Sequence, residues 1–281
     1  MKTALITGAN GYIGRHVTRT LLDQGVCVLA VHRGEAKPDP RAVSIRADFG
    51  DFHPSWYEAT GTPDVCLHLA WSDGFNHNAE SHIEMLPVHA RFAAAVMQSG
   101  VKQFLGMGSM HEVGYWEGQI DEATANRPRS KYGIAKNALR EIINLDAKAA
   151  GCVFQWVRAF YILGDDRFNK SLFAKILEWE REGREKFPFN SGRNKYDFID
   201  VARLAELIAA VASQDQVVGV IDCCSGVPVP LRDRVEQFIE KNNLKIRPDY
   251  GAFPDREYDS PAIWGDPEKI NTILSRQKVV A

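Results

Sequence analysis

Short apolar runs alternate with amphipathic stretches through the first two-thirds of the chain. Thr3–Thr7 is apolar, and a glycine turn and a helical pattern from Tyr12 to Gln24 follow, closed by Gly25. Val26-Cys27-Val28-Leu29-Ala30-Val31 has no polar alternation, which predicts a strand buried on both faces. Further strands are expected over Ala42–Arg46, Asp64–Ala70, Lys102–Met107 and Val153–Arg158, with helices over His82–Ser99 and Tyr132–Ala150. Strict alternation of strand and helix predicts a parallel sheet covered on both faces, the doubly wound α/β fold. Ligands of that fold bind outside the carboxyl ends of the strands.

The rhythm changes after Gly164. A charged helix over Ser171–Glu182 is followed by Pro- and Gly-bearing loops, Lys186–Asn194 and Ala252–Asp266. The expected division is 1–164 for a dinucleotide-binding domain and 165–281 for a smaller substrate lobe, with Val217–Cys223 returning to the main sheet as a strand.

Bulk properties narrow the partners. The 281 residues carry 34 basic and 36 acidic side chains, a net charge of −2, with no basic stripe to recommend nucleic acid. No apolar run is long enough to span a bilayer, so no membrane partner is expected. Met1–Gly8 runs straight into the first strand, which leaves no room for a signal peptide; the expected location is cytoplasmic. Five cysteines (Cys27, Cys66, Cys152, Cys223, Cys224) lack metal-ligand spacing and are read as buried reduced thiols, with no metal site. Vicinal Cys223-Cys224 is read as a buried strand end, a redox pair being the alternative.

Gly8, Gly11 and Gly14, after the first strand, form a phosphate cradle. The first permits a tight turn, the second lets backbone approach a pyrophosphate, and the third allows close helix packing. Asn10, Tyr12 and Ile13 complete the turn, and the helix N-terminus offers N–H groups and its dipole to phosphate. The end of the second strand reads Val31-His32-Arg33, with no acid until Glu35. A carboxylate there would hold a ribose 2′-hydroxyl, whereas a guanidinium suits a 2′-phosphate, so NADP(H) is favoured over NAD(H). Asp48, with Phe49 beside it, is placed to meet the adenine, and Leu69, Ala70 and Trp71 follow the fourth strand at the same edge.

A second constellation carries proton transfer. Tyr132 and Lys136 stand four residues apart and share a helix face. An ammonium nearby, with the cofactor ribose between, would lower the phenol's pKa. Ser109 follows the fifth strand and is placed to hydrogen-bond a substrate oxygen.

These residues resemble the extended short-chain dehydrogenase/reductases, in the branch that acts on nucleotide-linked sugars. The likeness rests on the Gly8/Gly11/Gly14 turn, Asp48, His68-Leu69-Ala70, Gly108-Ser109 ahead of Gly114, and Tyr132-Gly133-Ile134-Ala135-Lys136. It implies a Rossmann fold, a Ser109–Tyr132–Lys136 triad, and Phe160 within the nucleotide pocket. It also implies a homodimer built from the helices near His82–Ser99 and Tyr132–Ala150. Asn169 and Arg256 match positions that hold the substrate's phosphates. Where an arginine usually precedes Asp197-Phe198-Ile199-Asp200, this chain has Tyr196, with Arg193 and Lys195 just before it.

Related dehydratases place an acidic pair after the catalytic hydroxyl; here Met110 and His111 stand there, which argues against dehydration. Epimerases of the branch usually carry the acid that His32 replaces. The stretch Gly108–Trp116 resembles bacterial reductases of 4-keto-6-deoxy sugars, and NADPH-dependent reduction of such a nucleotide sugar is the expected activity. His111, Glu112 and Trp116 would read the sugar, and Ser72 would line the pocket. An epimerase with retained cofactor, or a reductase of a non-nucleotide ketone or aldehyde, stays open as an alternative.

Overall fold

The computed structural model describes residues 1–35, 38–58, 60–164, 171–255 and 260–280. Along the chain run β1 (Thr3–Thr7), α1 (Gly14–Asp23), β2 (Cys27–His32), β3 (Val43–Arg46) and β4 (Val65–His68). Then come α2 (Ser81–Glu84), α3 (Leu86–Gln98), β5 (Gln103–Ser109), β6 (Gly118–Ile120), α4 (Lys131–Ala150), β7 (Val153–Ala159) and β8 (Tyr161–Leu163). The remainder holds α5 (Leu172–Arg181), β9 (Lys186–Phe189), β10 (Lys195–Asp200), α6 (Val201–Ala212) and β11 (Gly219–Cys223). It ends with β12 (Pro228–Pro230), α7 (Leu231–Lys241), β13 (Arg247–Tyr250), β14 (Ala262–Gly265) and α8 (Glu268–Val280).

Seven strands form one parallel, Rossmann-like sheet in the order β11-β7-β5-β4-β1-β2-β3. Most of the apolar runs read from the sequence are inner strands of this sheet, and their burial on both faces is why polar alternation is missing; the edge strand β3 is only partly buried. One face is closed by α1, α6 and α8 through Val17, Leu21, Leu204, Ile208, Ile270 and Ile273. The other is closed by α3 and α4 through Phe92, Val96, Leu139 and Ile143. Strand order reverses beside β1, so β1, β4 and β5 deliver their carboxyl ends to one crevice.

Within the expected Val217–Cys223 stretch, Gly219–Cys223 joins this sheet as β11, parallel to β7. The single helix expected over His82–Ser99 is two, because Pro87 occupies the first turn of α3, where its missing N–H costs nothing. Serine caps start α4 and α5: Ser130 Oγ accepts from Gly133 N–H and Ser171 Oγ from Ala174 N–H.

The stretch after Gly164 carries more strand than its loops and charges suggest. A second sheet runs β12-β10-β14-β6, with β8 alongside β10, and β13 pairs β9 separately. Lys186–Asn194 contains β9, and Ala252–Asp266 contains β14. Strands of three or four residues, interrupted by proline, give too short a pattern to read alone. The second sheet packs with α5 and α7 around Phe173, Ile176, Tyr196, Phe198 and Val235.

All five cysteines are free; Cys27 is exposed, not buried as expected, because it opens β2 at the sheet's amino edge. Cys223 and Cys224 point into different cores, as alternation along a strand end requires. Among the described residues no helix is long and apolar enough to cross a membrane.

Candidate active site

The turn after β1 has the shape a dinucleotide phosphate needs. Gly8 sits at φ +70°, and a Cβ there would stand 2.8 Å from the Ala70 backbone, so the turn lies against the chain leaving β4. A Cβ at position 14 would overlap the Gly8 carbonyl. The first turn of α1 has no side-chain cap, and the positive end of its dipole lies beside the glycine turn. Tyr12 Oη donates to Gly164 O at 2.6 Å and ties the cradle to the end of β8. The residues present therefore fit a nicotinamide dinucleotide.

Ser109 closes β5, and its Oγ accepts from His111 N–H at 3.3 Å. Tyr132 and Lys136 lie on the first turns of α4, and the structure brings them together with Ser109. The Lys136 side chain is buried; its Nζ donates to Met107 O at 2.6 Å and stands 3.7 Å above the Trp71 ring. Burial pulls its pKa below the lysine range, with the Glu112 carboxylate acting the other way. The sequence suggests a phenol eased by Lys136. In the chain alone, burial instead pushes Tyr132 up to about 12, while the Ser109 hydroxyl, donating to the phenolate, pulls it back.

Around this pair stand five of the eight histidines. His77 lies flat on Tyr132, ring centroids 5.3 Å apart and planes 13° apart, and Tyr132 N–H donates to His77 O at 2.9 Å. His111 meets His77 at 4.2 Å, and burial drops its pKa to about 3. Trp71 stacks on His89 at 4.6 Å and donates from Nε1 to His82 Nδ1 at 3.1 Å. His68 bridges Thr7 Oγ1 and His89 Nδ1, each at 2.7 Å. Motif reading missed His77, His82 and His89; the available signal was the clustering of histidines between positions 68 and 111. Among the described residues no group of His, Cys, Asp or Glu is arranged to hold a metal ion.

At the far end of the crevice, His32 is buried, with Nδ1 against Gly34 O and Nε2 against Ser44 Oγ. Both nitrogens are thus committed within the fold, which leaves it no atom for a 2′-phosphate. Arg33 is exposed and faces the Asp48 carboxylate at 3.6 Å. Asp48 also accepts from Gly50 N–H, and Phe49 turns inward to stack on His89 at 4.7 Å.

The candidates for substrate contact fall into distinct places. His111 borders Tyr132, Ser72 is exposed beyond Trp71, and Trp116 is 39% exposed. Glu112, expected to read the sugar, is wholly buried: it accepts from Ser109 N–H at 2.7 Å and from the Trp156 indole N–H at 3.0 Å. Met110 and Phe160 are packed into the core of the second sheet. A cavity of about 290 Å³ is lined by Tyr115, Trp116, Ala125, Arg127 and Arg129. Another, of about 440 Å³, holds Arg193 with Ser191, Arg232, Asp233, Glu236, Tyr250 and Gly251. Neither includes Tyr132 or Lys136, which sit at the strand ends instead. Tyr196, at the position of the usual arginine, is buried and stacked on Tyr161 at 4.1 Å. Asn169 and Arg256 lie outside the described residues.

Known proteins agree with this architecture. The chain is 42% identical over 267 residues to dTDP-6-deoxy-L-talose 4-dehydrogenase (NAD(+)) of Aggregatibacter actinomycetemcomitans, covering 93% of this chain and 98% of that protein. It is 25% identical to a probable UDP-arabinose 4-epimerase 3 of Oryza sativa subsp. japonica, over 96% of this chain and 77% of that one. Among solved structures, MoeE5 in complex with UDP-glucuronic acid and NAD superposes with a TM-score of 0.83 at 24% identity, covering 97% and 92% of the two chains. A UDP-glucose 4-epimerase superposes with a TM-score of 0.82 at 19% identity, over 98% and 92%. The model of the NAD dependent epimerase/dehydratase family matches residues 4–222, the span that holds the glycine cradle, Ser109, Tyr132 and Lys136, and the chain belongs to that family of NAD(P)-dependent enzymes.

Proposed function

We propose that this enzyme interconverts a C4 ketone and a C4 hydroxyl on a nucleoside diphosphate-linked 6-deoxyhexose, in the reducing direction on a 4-keto-6-deoxy sugar. The observation that carries the reading is the meeting of Ser109, Tyr132 and Lys136 at the ends of β5 and α4 beside the glycine cradle. The 42% identity to a dTDP-6-deoxy-L-talose 4-dehydrogenase supports the substrate class and points to thymidine diphosphate as the carrier.

The cradle of Gly8, Gly11 and Gly14, with the N-terminus of α1, would hold the pyrophosphate, and Leu69, Ala70 and Trp71 would border the cofactor where β4 ends. A bound nicotinamide supplies or accepts the hydride. Tyr132 Oη then carries the proton to or from the sugar O4, and the Ser109 hydroxyl donates to the same oxygen as charge develops on it. A phenol held near 12 stays protonated at neutral pH, the form needed to protonate an alkoxide. Lys136, as an ammonium, favours the phenolate left behind. His111, Ser72 and Trp116 are the candidates for reading sugar hydroxyls; Met110 and Phe160 back the pocket from the core.

The working cofactor in this reading is NAD(H). A 2′-phosphate would have to compete with Asp48 for Arg33, His32 is internally engaged, and the similar dehydrogenase is an NAD(+) enzyme. The test is a panel of nucleotide-linked 4-keto-6-deoxyhexoses with NADH and NADPH. The expected result is net loss of NADH absorbance with a thymidine diphosphate member, abolished in Tyr132→Phe; turnover retained in that variant contradicts the reading. A 4-epimerase, favoured by likeness to the UDP-arabinose enzyme, would change sugar configuration without net consumption of nicotinamide.

A further inference from the structure

Glu112 is a carboxylate placed where carboxylates are costly. It closes the short 3₁₀ turn Met110–Glu112 after β5 and is 0% exposed. A buried anion persists only with donors and positive charge around it. Its Oε1 accepts from Ser109 N–H at 2.7 Å, and the Trp156 indole N–H lies 3.1 and 3.0 Å from its two oxygens. The indole reaches it because β5 carries glycine at 106 and 108; a Cβ at either position would overlap the Trp156 ring.

The charged and titratable groups facing Glu112 come from three elements. Arg140 Nε on α4 stands 4.0 Å from Oε2, and Arg158 on β7 and Lys136 on α4 oppose the burial that raises the Glu112 carboxyl. Asp222 on β11 and Tyr132 on α4 feel its negative charge. Lys136 in turn faces His68 from β4 and His89 from α3, both kept neutral by burial. Glu112 is the carboxylate acting on Lys136 from within the protein.

We propose that Glu112 is a positioning residue for catalysis, whose buried carboxylate fixes the Ser109 turn through the Ser109 N–H and the Trp156 indole and supplies the negative charge that faces Lys136 beside Tyr132. The inference rests on the catalytic reading of Ser109, Tyr132 and Lys136. Removing the negative charge leaves Lys136 to burial alone, so its ammonium is lost at lower pH.

The test compares pH profiles of kcat and kcat/KM for the wild type, Glu112→Gln and Glu112→Asp. The Trp156 indole N–H resonance, assigned with Trp156→Phe, is followed in parallel on protein without cofactor. In Glu112→Gln, kcat falls about tenfold or more at neutral pH while KM stays within about threefold, and the alkaline limb moves acidward by about one pH unit, the equivalent of that tenfold change. The indole resonance shifts, and Glu112→Asp, which keeps the charge, keeps the limb within about half a unit on the same scale. An unmoved limb in Glu112→Gln overturns the proposal. If that variant does not fold, a limb displaced in Glu112→Asp overturns it equally. Tyr132→Phe run alongside separates the two claims, since turnover surviving there fails the catalytic reading, not the role of Glu112.

Discussion

The imidazole of His77 lies parallel to the phenol of Tyr132, and the backbone of the same residue receives the Tyr132 N–H. The loop leaving β4 is thereby clamped to the first turn of α4, and two elements far apart in sequence share one wall of the site. His77→Ala keeps the backbone bond and removes the stacked ring. It is expected to lower stability by about 0.5–1.5 kcal/mol, the range for an aromatic pair. A thermal melt reads this directly, and an unchanged midpoint would show that the stack contributes nothing.

Behind the site, Arg158 is fully buried and its Nη1 donates to Asp222 Oδ1 at 3.3 Å and to Asp121 O at 3.0 Å. Burial still pushes Asp222 up to about 7 from 3.8. With the folded pKa above the unfolded one, the folded state binds the extra proton in that window. Stability from this group is therefore full below the window and lost as pH rises through about 7. Thermal midpoints between pH 5.5 and 7.5 should fall for the wild type relative to Asp222→Asn, which removes the titration. Parallel pH curves for the two proteins would contradict the assignment.

Arg33 is exposed and paired with Asp48 across 3.6 Å, the setting in which ion pairs contribute about 0–1 kcal/mol. Arg33→Ala should leave the fold intact and change NADH affinity by less than about threefold, within that energy range. Cofactor titration by fluorescence checks it. A large loss confined to NADPH would restore the preference read from Val31-His32-Arg33.

Gly14 is a steric requirement. Gly14→Ala drives a methyl into the Gly8 carbonyl, and strain of about 1–3 kcal/mol is expected, with cofactor affinity falling as the turn opens. Melting and NADH titration of the same sample separate the two effects.

The doubly wound sheet was legible because its inner parallel strands are buried on both faces and write largely apolar runs, as in Val28–Val31. The cradle and the Tyr132–Lys136 pair were legible because their chemistry demands fixed spacings. The second sheet was not. Tyr161–Leu163, Pro228–Pro230 and Ala262–Gly265 are too short to show a period, and their partners lie far away in sequence. Orientation within a loop was also hidden. Glu112 and His111 are adjacent, yet one carboxylate turns into the core under Trp156 while the neighbouring ring faces Tyr132. His32 reads as a phosphate ligand from sequence, yet both its nitrogens are bonded within the fold, to Gly34 and Ser44.

The central claim is hydride exchange at the sugar C4 with the proton handled by Tyr132. Its most direct test is turnover of a thymidine diphosphate-linked 4-keto-6-deoxyhexose with NADH deuterated at the transferable position, with the product read by NMR. The account predicts one deuterium at C4 for each nicotinamide oxidised. Product without deuterium at C4, or sugar conversion with no nicotinamide oxidised, would contradict it.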